Sequence, residues 1–351
     1  GAAKYVDPLN GSDANDGSIA APWKTLVNIH NLADTVYITN SAVCYFGDSH
    51  NRGPQDVTLR PWGDGTPTVI VSNRTGTAAI YLNNAAQQAI HAFGIKWTVA
   101  SDYAGIIFYG RLGARTIEVV NCEFDMTGSV AAARRFHLRN TGLLFVFTSN
   151  LVYNANITDH FIANEGNSYV CDVRYNRFFD FTGSNPGIME ASVAGCAGIV
   201  ANNTAWGCNY LMWYNQTGDM ILTNVNNIVE NAKIVSGKNW FRSGSATARS
   251  FADYTFSGDT PGVTFDTFTV QGPSNLTALS EAQINFKNTN DVSAGDFLKI
   301  DITSVAANSD AANTYPELGL PVWAGWAEPV PEPAAVLLVS MFALPAMLRR
   351  R

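Results

Sequence analysis

Short apolar stretches recur along this chain with polar breaks between them, and its body holds no helix-length amphipathic run. The clearest marker is an Asn followed three residues later by a large side chain. "NCEF" begins at Asn121, "NLVY" at Asn150, "NRFF" at Asn176, "NTAW" at Asn203 and "NIVE" at Asn227, at steps of 29, 26, 27 and 24 residues. "GIKW", from Gly94, extends the series one step back with Gly in the Asn slot. Units of this size made of short strands cannot bury an apolar face alone, so they stack, and each step reads as one coil of a parallel β-solenoid. A sandwich or propeller would instead place strands about 8 to 12 residues apart with hairpin turns.

Aligned on this ruler, Trp97, Phe124, Tyr153, Phe179 and Trp206 form one column, expected to stack inside the coil until Glu230 ends it. Strand alternation then also turns Ile95, Cys122, Leu151, Thr204 and Ile228 inward. Arg177 shares their column and calls for a bulge or a buried acid partner. The Asn column has two physical reasons: Asn tolerates the left-handed backbone of a tight corner, and its amide can bond the same residue one coil away.

The chain opens with "YVDPLNGSDANDGSIAAPWKTL", followed by "DTVYI" at 34–38 and "VTLRPWGDGTPTVI" at 57–70. Pro8, Asn10-Gly11 and Asp16-Gly17 mark turns. This opening resembles the N-terminal cap and first coils of exported right-handed parallel β-helix proteins, the pectate-lyase-like group. Further on, "AGDFLKIDITSVAANS" resembles the last coil of such proteins. The expected fold is all-β: a single-stranded right-handed parallel β-helix with coils of about 24–29 residues. Its division is a cap and lead-in over 1–45, the β-helix over 46–310, and a Pro- and Trp-containing stretch over 311–329 that covers or leaves the open end.

Residues 330–351 differ in kind. Ala334 to Leu348 are fifteen residues without a charge, interrupted by Pro345 and followed by three arginines. A stable span needs about 20 apolar residues, so this reads as a transient membrane-retention helix whose arginines hold its end on the cytoplasmic side. Val330, Pro331, Glu332 and Pro333, the apolar run, and Arg349, Arg350 and Arg351 together resemble the PEP-CTERM sorting signal of Gram-negative bacteria. That resemblance implies export, transient inner-membrane anchoring, processing by an exosortase-type enzyme, and delivery to the cell envelope or an exopolysaccharide-rich matrix.

At 351 residues and 46% hydrophobic the chain can bury a sizeable core. The net charge is −7, and because the tail from 334 holds three arginines and no acid, residues 1–333 carry −10. So acidic a body disfavours nucleic acid as a partner. The five cysteines, Cys44, Cys122, Cys171, Cys196 and Cys208, show no metal-ligand spacing. Cys196 and Cys208 suit one disulfide, and buried free thiols are the stronger expectation.

Chemistry has several candidate seats. Arg134, Arg135, His137 and Arg139 form a basic island free of acids, suited to carboxylated or sulfated sugars. Asp159-His160, with Asp172 and Arg174 in the next coil, is an acid/base cluster, although neighbours on a strand face opposite ways and Asp159 would more easily serve another residue. The catalytic candidates are therefore Asp159, His160, Arg139 and Arg174, and the substrate-binding candidates Arg134, Arg135, His137, Trp213 and Tyr214. Asp172 with Glu190 is a conceivable hydrolytic pair. No motif demands a cofactor. Calcium is the ion suited by residue type to Asp13, Asn15 and Asp16 or to Asp125, Asn154 and Asp180, which turn and strand-end chemistry also explains. The expected function is a structural or carbohydrate-binding envelope protein. A lyase or hydrolase acting on an acidic polysaccharide, the activity the β-helix resemblance implies, is the second reading, and an adhesin the third.

Overall fold

A computed structural model of the chain describes residues 3–329, apart from 32–33, 47–55, 73–77, 84–87, 165, 185–186, 209, 215–217, 231–240, 244–247, 254–255, 259–268 and 272–273. It is the expected parallel β-solenoid. A first sheet of eleven strands runs from Lys4–Val6 to Thr269–Gln271, a second of ten from Cys44–Phe46 to Leu276–Leu279, and a third of seven from Ala78–Leu82 to Phe241–Ser243. Within each sheet a strand pairs in parallel with the strand one coil away, so equivalent side chains stack in columns about 4.8 Å apart.

The columns correct the predicted register. On the second sheet Trp97, Phe124, Val152, Phe178, Ala205 and Val229 stack, and all six are buried. The neighbouring column is Thr98, Asp125, Tyr153, Phe179, Trp206 and Glu230. Thus only Trp97 and Phe124 of the predicted aromatic column enter the core, and Tyr153, Phe179 and Trp206 lie on the outer face. Leu151, Thr204 and Ile228 are likewise outward. The cause is a slip of one residue: Glu123 lies opposite Leu151, which sets Cys122, not Asn121, level with Asn150.

The two reasons for Asn therefore belong to adjacent columns. Asn121 (φ 54°) takes the left-handed corner, as do Gly94, Ser149, Tyr175, Asn202 and Asn226 in their coils. The next residues form the ladder. The amide oxygen of Asn176 accepts from Asn150 N at 2.9 Å and Asn150 Nδ2 at 3.1 Å, Asn203 serves Asn176 in the same way, and Asn227 serves Asn203. Each amide nitrogen also donates to a backbone carbonyl, that of Asn176 to Phe147 O at 2.6 Å. Every polar atom of these fully buried amides has work at the corner, which is why burial is tolerated there.

Residues 281–329 lie along the outside of the second sheet and the adjoining edge of the first, where Ala201 and Val225 join their apolar cluster. Phe297 and Leu298 cluster with the outward Leu151, Tyr153, Phe179 and Trp206, and Phe297 meets Phe179 edge-on at 4.9 Å. The stretch read as a last coil makes isolated bridges there, Phe286 with Ile300 and Asn288 with Phe297, and is tied by the Lys287–Asp301 ion pair. The Trp-containing stretch follows as a strap across several coils. Asn202 and Asn226 donate to Trp323 O, Arg174 donates to Leu318 O at 2.8 Å, and Trp326 Nε1 donates to Leu298 O at 3.0 Å. Arg177 needs no buried acid, because it faces outward and stacks 3.9 Å from the Trp326 ring. A Cβ on Gly325 would come within 2.8 Å of Ile228 and Thr204, so only glycine lets the strap lie this close.

All five cysteines are free and buried. No helix among the described residues is long and apolar enough to cross a membrane, and the segment 330–351, with the sorting helix expected there, lies outside them.

Candidate functional site

The outer face of the third sheet carries a different column. Pairing of Ala78–Leu82, Ile106–Gly110 and Phe136–Leu138 puts Tyr81, Tyr109 and His137 in register. Their rings stack face to face at 4.6 Å, tilted by only 11° and 10°. The stack stops at the next coil, where Ala163 pairs with His137 and offers no ring.

Beside the stack opens a cleft of ≈ 370 Å³, lined by Ala104, Gly105, Ile106, Tyr109, Ala133, Arg134, His137 and Arg139. Strand alternation explains the arginines: positions 109, 137 and 139 share the outer side, and Arg139 Nη1 reaches the Tyr109 hydroxyl at 3.3 Å. Arg111 repeats this one coil earlier, donating to the Tyr81 hydroxyl at 3.0 Å. Arg134 Nη1 lies 3.2 Å from His137 Nε2. Guanidinium can only donate, so Nε2 holds a lone pair and the imidazole is neutral with its proton on Nδ1. Burial, reinforced by Arg134 and Arg139, depresses the His137 pKa to about 3. The electrostatics and the hydrogen bond thus specify the same tautomer.

Arg134 also bridges to the next group, its Nη2 standing 3.4 Å from Asp159 Oδ2. Asp159 Oδ1 is 2.8 Å from His160 Nδ1, too poorly angled for a hydrogen bond but a close electrostatic contact. The alternation that argued against this pairing does not apply, because the strand starts at His160 and Asp159 precedes it. Glu190, one coil on, reaches back so that its Oε2 accepts from Asn164 N at 3.2 Å. His160 and Glu190 are buried, while Asp159 is half-exposed.

Of the residues singled out from the sequence, Arg134, His137, Arg139, Asp159 and His160 meet here. Arg135 does not: it turns inward, fully buried, and spends its guanidinium on the carbonyls of Tyr103, Gly105 and Val130, where burial lowers its pKa to about 10. Arg174 sits on the first sheet, bonded to Asp172 at 2.6 Å, far from His160 in the coil. The same placement separates Asp172 from Glu190. Trp213 and Tyr214 occupy the strand Tyr210–Tyr214, opposite Glu190 and Ala191, and their side chains are outside the description.

The residues considered for calcium have structural bonds. Asp13 accepts from Lys24 N, Thr25 N and Thr25 Oγ1, Asp16 caps Ser18 N, and Asp125 pairs with Lys96 at 2.9 Å. Asn154 and Asp180 occupy left-handed corners, φ 55° and 52°.

The sequence reading missed Tyr81, Tyr109 and Arg111. A signal was present, since Tyr81, Tyr109 and His137 recur at 28-residue intervals and "YGR" at 109 parallels "HLR" at 137. A ruler anchored on Asn does not detect it.

No protein-family model matches this chain, and no curated protein matches it significantly. Among solved structures it is similar to a rhamnogalacturonan lyase, at 12% identity and a TM-score of 0.34 over 90% of this chain and 98% of that one. It is also similar to a GH136 lacto-N-biosidase from Eubacterium ramulus, at 10% identity and a TM-score of 0.27 over 79% and 68%. Likeness this distant carries no inference about activity, which rests on the cleft alone.

Proposed function

We propose that this chain is an exported right-handed β-helix that binds an acidic polysaccharide in the third-sheet cleft. On this reading it is delivered to the cell envelope or exopolysaccharide matrix by its PEP-CTERM-like segment and an exosortase-type enzyme. The observation that carries the binding role is the convergence of Arg134 and Arg139 on one open cleft of a body with net charge −10. In such a body, a local pair of guanidiniums beside a neutral imidazole and a phenol suits an anionic group carried by a hydroxyl-rich chain. The arginines match carboxylate or sulfate, and the buried Tyr109 and His137 hold them in place by accepting from Arg139 and Arg134. Binding is favoured over catalysis because the nearby acid/base candidates His160 and Glu190 are buried.

The test is calorimetric titration of the protein with uronate-containing, sulfated and neutral polysaccharides. An acidic polymer is expected to bind, more weakly as salt rises. Arg134→Ala with Arg139→Ala is expected to cost about 1.5–3 kcal/mol per lost charged hydrogen bond, enough to abolish retention. Equal binding of neutral polymers, or an unaffected double variant, would overturn the reading. Release of unsaturated or reducing ends in the same mixtures would move it to a lyase or hydrolase.

A further inference from the structure

The arginine cleft is one of two constellations on this face. At its edge three metal-ligating groups of different chemistry converge: a carboxylate oxygen of Asp159, an imidazole nitrogen of His160 and a carboxylate oxygen of Glu190 all lie within 4.8 Å of one another. Two come from consecutive residues at the start of one strand and the third from the next coil, so stacking of coils brings them together.

We propose that Asp159, His160 and Glu190 form a binding site for a divalent transition-type cation of the zinc class. Three arguments support it. The donor set fits, since one imidazole and two carboxylates are ligands that zinc accepts, whereas calcium takes six to eight oxygens and does not use imidazole. The spacing fits as well. Ligands held at about 2.0–2.1 Å from one tetrahedral ion lie about 3.3 Å apart, and the 2.8 Å between Asp159 Oδ1 and His160 Nδ1 needs to open by only about half an ångström to match. Glu190 completes the triangle, with a carboxylate oxygen within 4.8 Å of both other ligand atoms. Charge balance points the same way. Two carboxylates converge here and Glu190 is buried, so a divalent cation between them offsets the cost of holding negative charge away from water.

The ligand gradient gives the site a direction. His160 is sealed off and Glu190 nearly so, while Asp159 reaches toward Arg134 and the cleft. Three protein ligands leave a coordination position free, and Asp159 marks the side on which it is reachable. The competing arrangement is a metal-free cluster in which Asp159 pairs with Arg134 and His160. The proposal is independent of glycan binding.

The decisive experiment treats the full-length protein with a chelator, removes the chelator, and titrates with zinc ion alone by calorimetry, following cobalt substitution by visible absorption in parallel. One equivalent of zinc is expected to bind, with a cobalt spectrum showing nitrogen and oxygen ligation. Asp159→Asn and His160→Ala are expected to weaken zinc binding by more than about tenfold. Because His160 is buried, its variant is checked for fold by circular dichroism, and the half-exposed Asp159→Asn decides the question if that variant does not fold. Absence of stoichiometric zinc binding, calcium binding in place of zinc, or zinc binding unchanged in Asp159→Asn would each overturn the proposal. Arg139→Ala separates the two readings, since it removes glycan retention while leaving zinc binding intact.

Discussion

The outer faces of the second and third sheets are built on the same coils and have opposite fates. On the second, Leu151, Tyr153, Phe179 and Trp206 are covered by residues 281–329, with Phe297, Leu298 and Trp326 laid over them. On the third, a column of Tyr81, Tyr109 and His137 borders an open cleft with Arg134 and Arg139 beside it. Inside, the two sheets share one core, where Phe124 of the second meets Phe136 of the third at 5.4 Å. A solenoid repeats its interior from coil to coil, and individuality is written on outward positions. Outward apolar residues call for a cover, and outward polar ones beside a wall of small residues leave a site.

The harshest way to break the comparison is to remove the interior both faces depend on. Asn176→Leu leaves Asn150 N and Phe147 O without their partners, while the Asn203 amide oxygen loses one of its two donors and keeps the backbone N of residue 176. At about 1–3 kcal/mol for each buried group left unsatisfied, a loss of about 4 kcal/mol is expected in urea denaturation, with both faces lost together. A loss below about 1 kcal/mol would mean that the ladder is not what holds the corner.

Next in size is the strap. Trp326→Ala removes the stack on Arg177 and the bond to Leu298 O, and is expected to cost about 2–3 kcal/mol. Limited proteolysis of the variant should then cut between 316 and 329 while polysaccharide binding stays unchanged. Loss of binding with the strap would show that the two faces are coupled.

The cleft can be sharpened by pH. His137 has its folded pKa depressed to about 3, against about 6.5 when unfolded, so between these values the unfolded chain binds the extra proton. Stability is therefore complete above about pH 6.5 and falls steadily as pH drops toward 3. Arg134→Gln removes one of the two cationic neighbours and should raise the His137 pKa by about one unit, read by NMR titration of the ring, with a matching decrease in acid sensitivity. An unchanged titration would place the depression in burial and Arg139.

The smallest expected effect touches neither face. Ser149 holds a left-handed corner, φ 58°, where its neighbours in the column include Gly94 and Asn121. Ser149→Gly should gain about 0.5 kcal/mol by relieving the corner, measured as a small rise in Tm.

Much of this architecture is legible in the sequence, and the errors have a local cause. The coil step shows because Asn recurs at a corner where few residues serve. The register was lost because two adjacent columns both favour Asn, one for its left-handed backbone at Asn121, the other for its amide at Asn150, and a ruler that treats them as one slips by a residue. That slip moved Tyr153, Phe179 and Trp206 from the outer face to the core. The site was half visible. Arg134, His137 and Arg139 stand together in the chain, but Arg135 between them turns inward, and adjacency cannot tell a guanidinium that binds carbonyls from one that faces a cleft. Tyr81, Tyr109 and Glu190 join only because coils stack, and the strap's place on the second sheet depends on outward residues whose side was misassigned.

The five buried thiols make the solenoid its own recorder of opening. Burial pushes the Cys44 thiol up to about 12 and the Cys122 thiol up to about 11, so neither is a nucleophile while the coils are closed. Cys44 lies near one end of the stack, Cys122 and Cys171 in the middle, and Cys196 and Cys208 farther along. A thiol reagent added under native conditions would label each only when its own coil opens. The order of labelling would then map, coil by coil, where the column begins to fray.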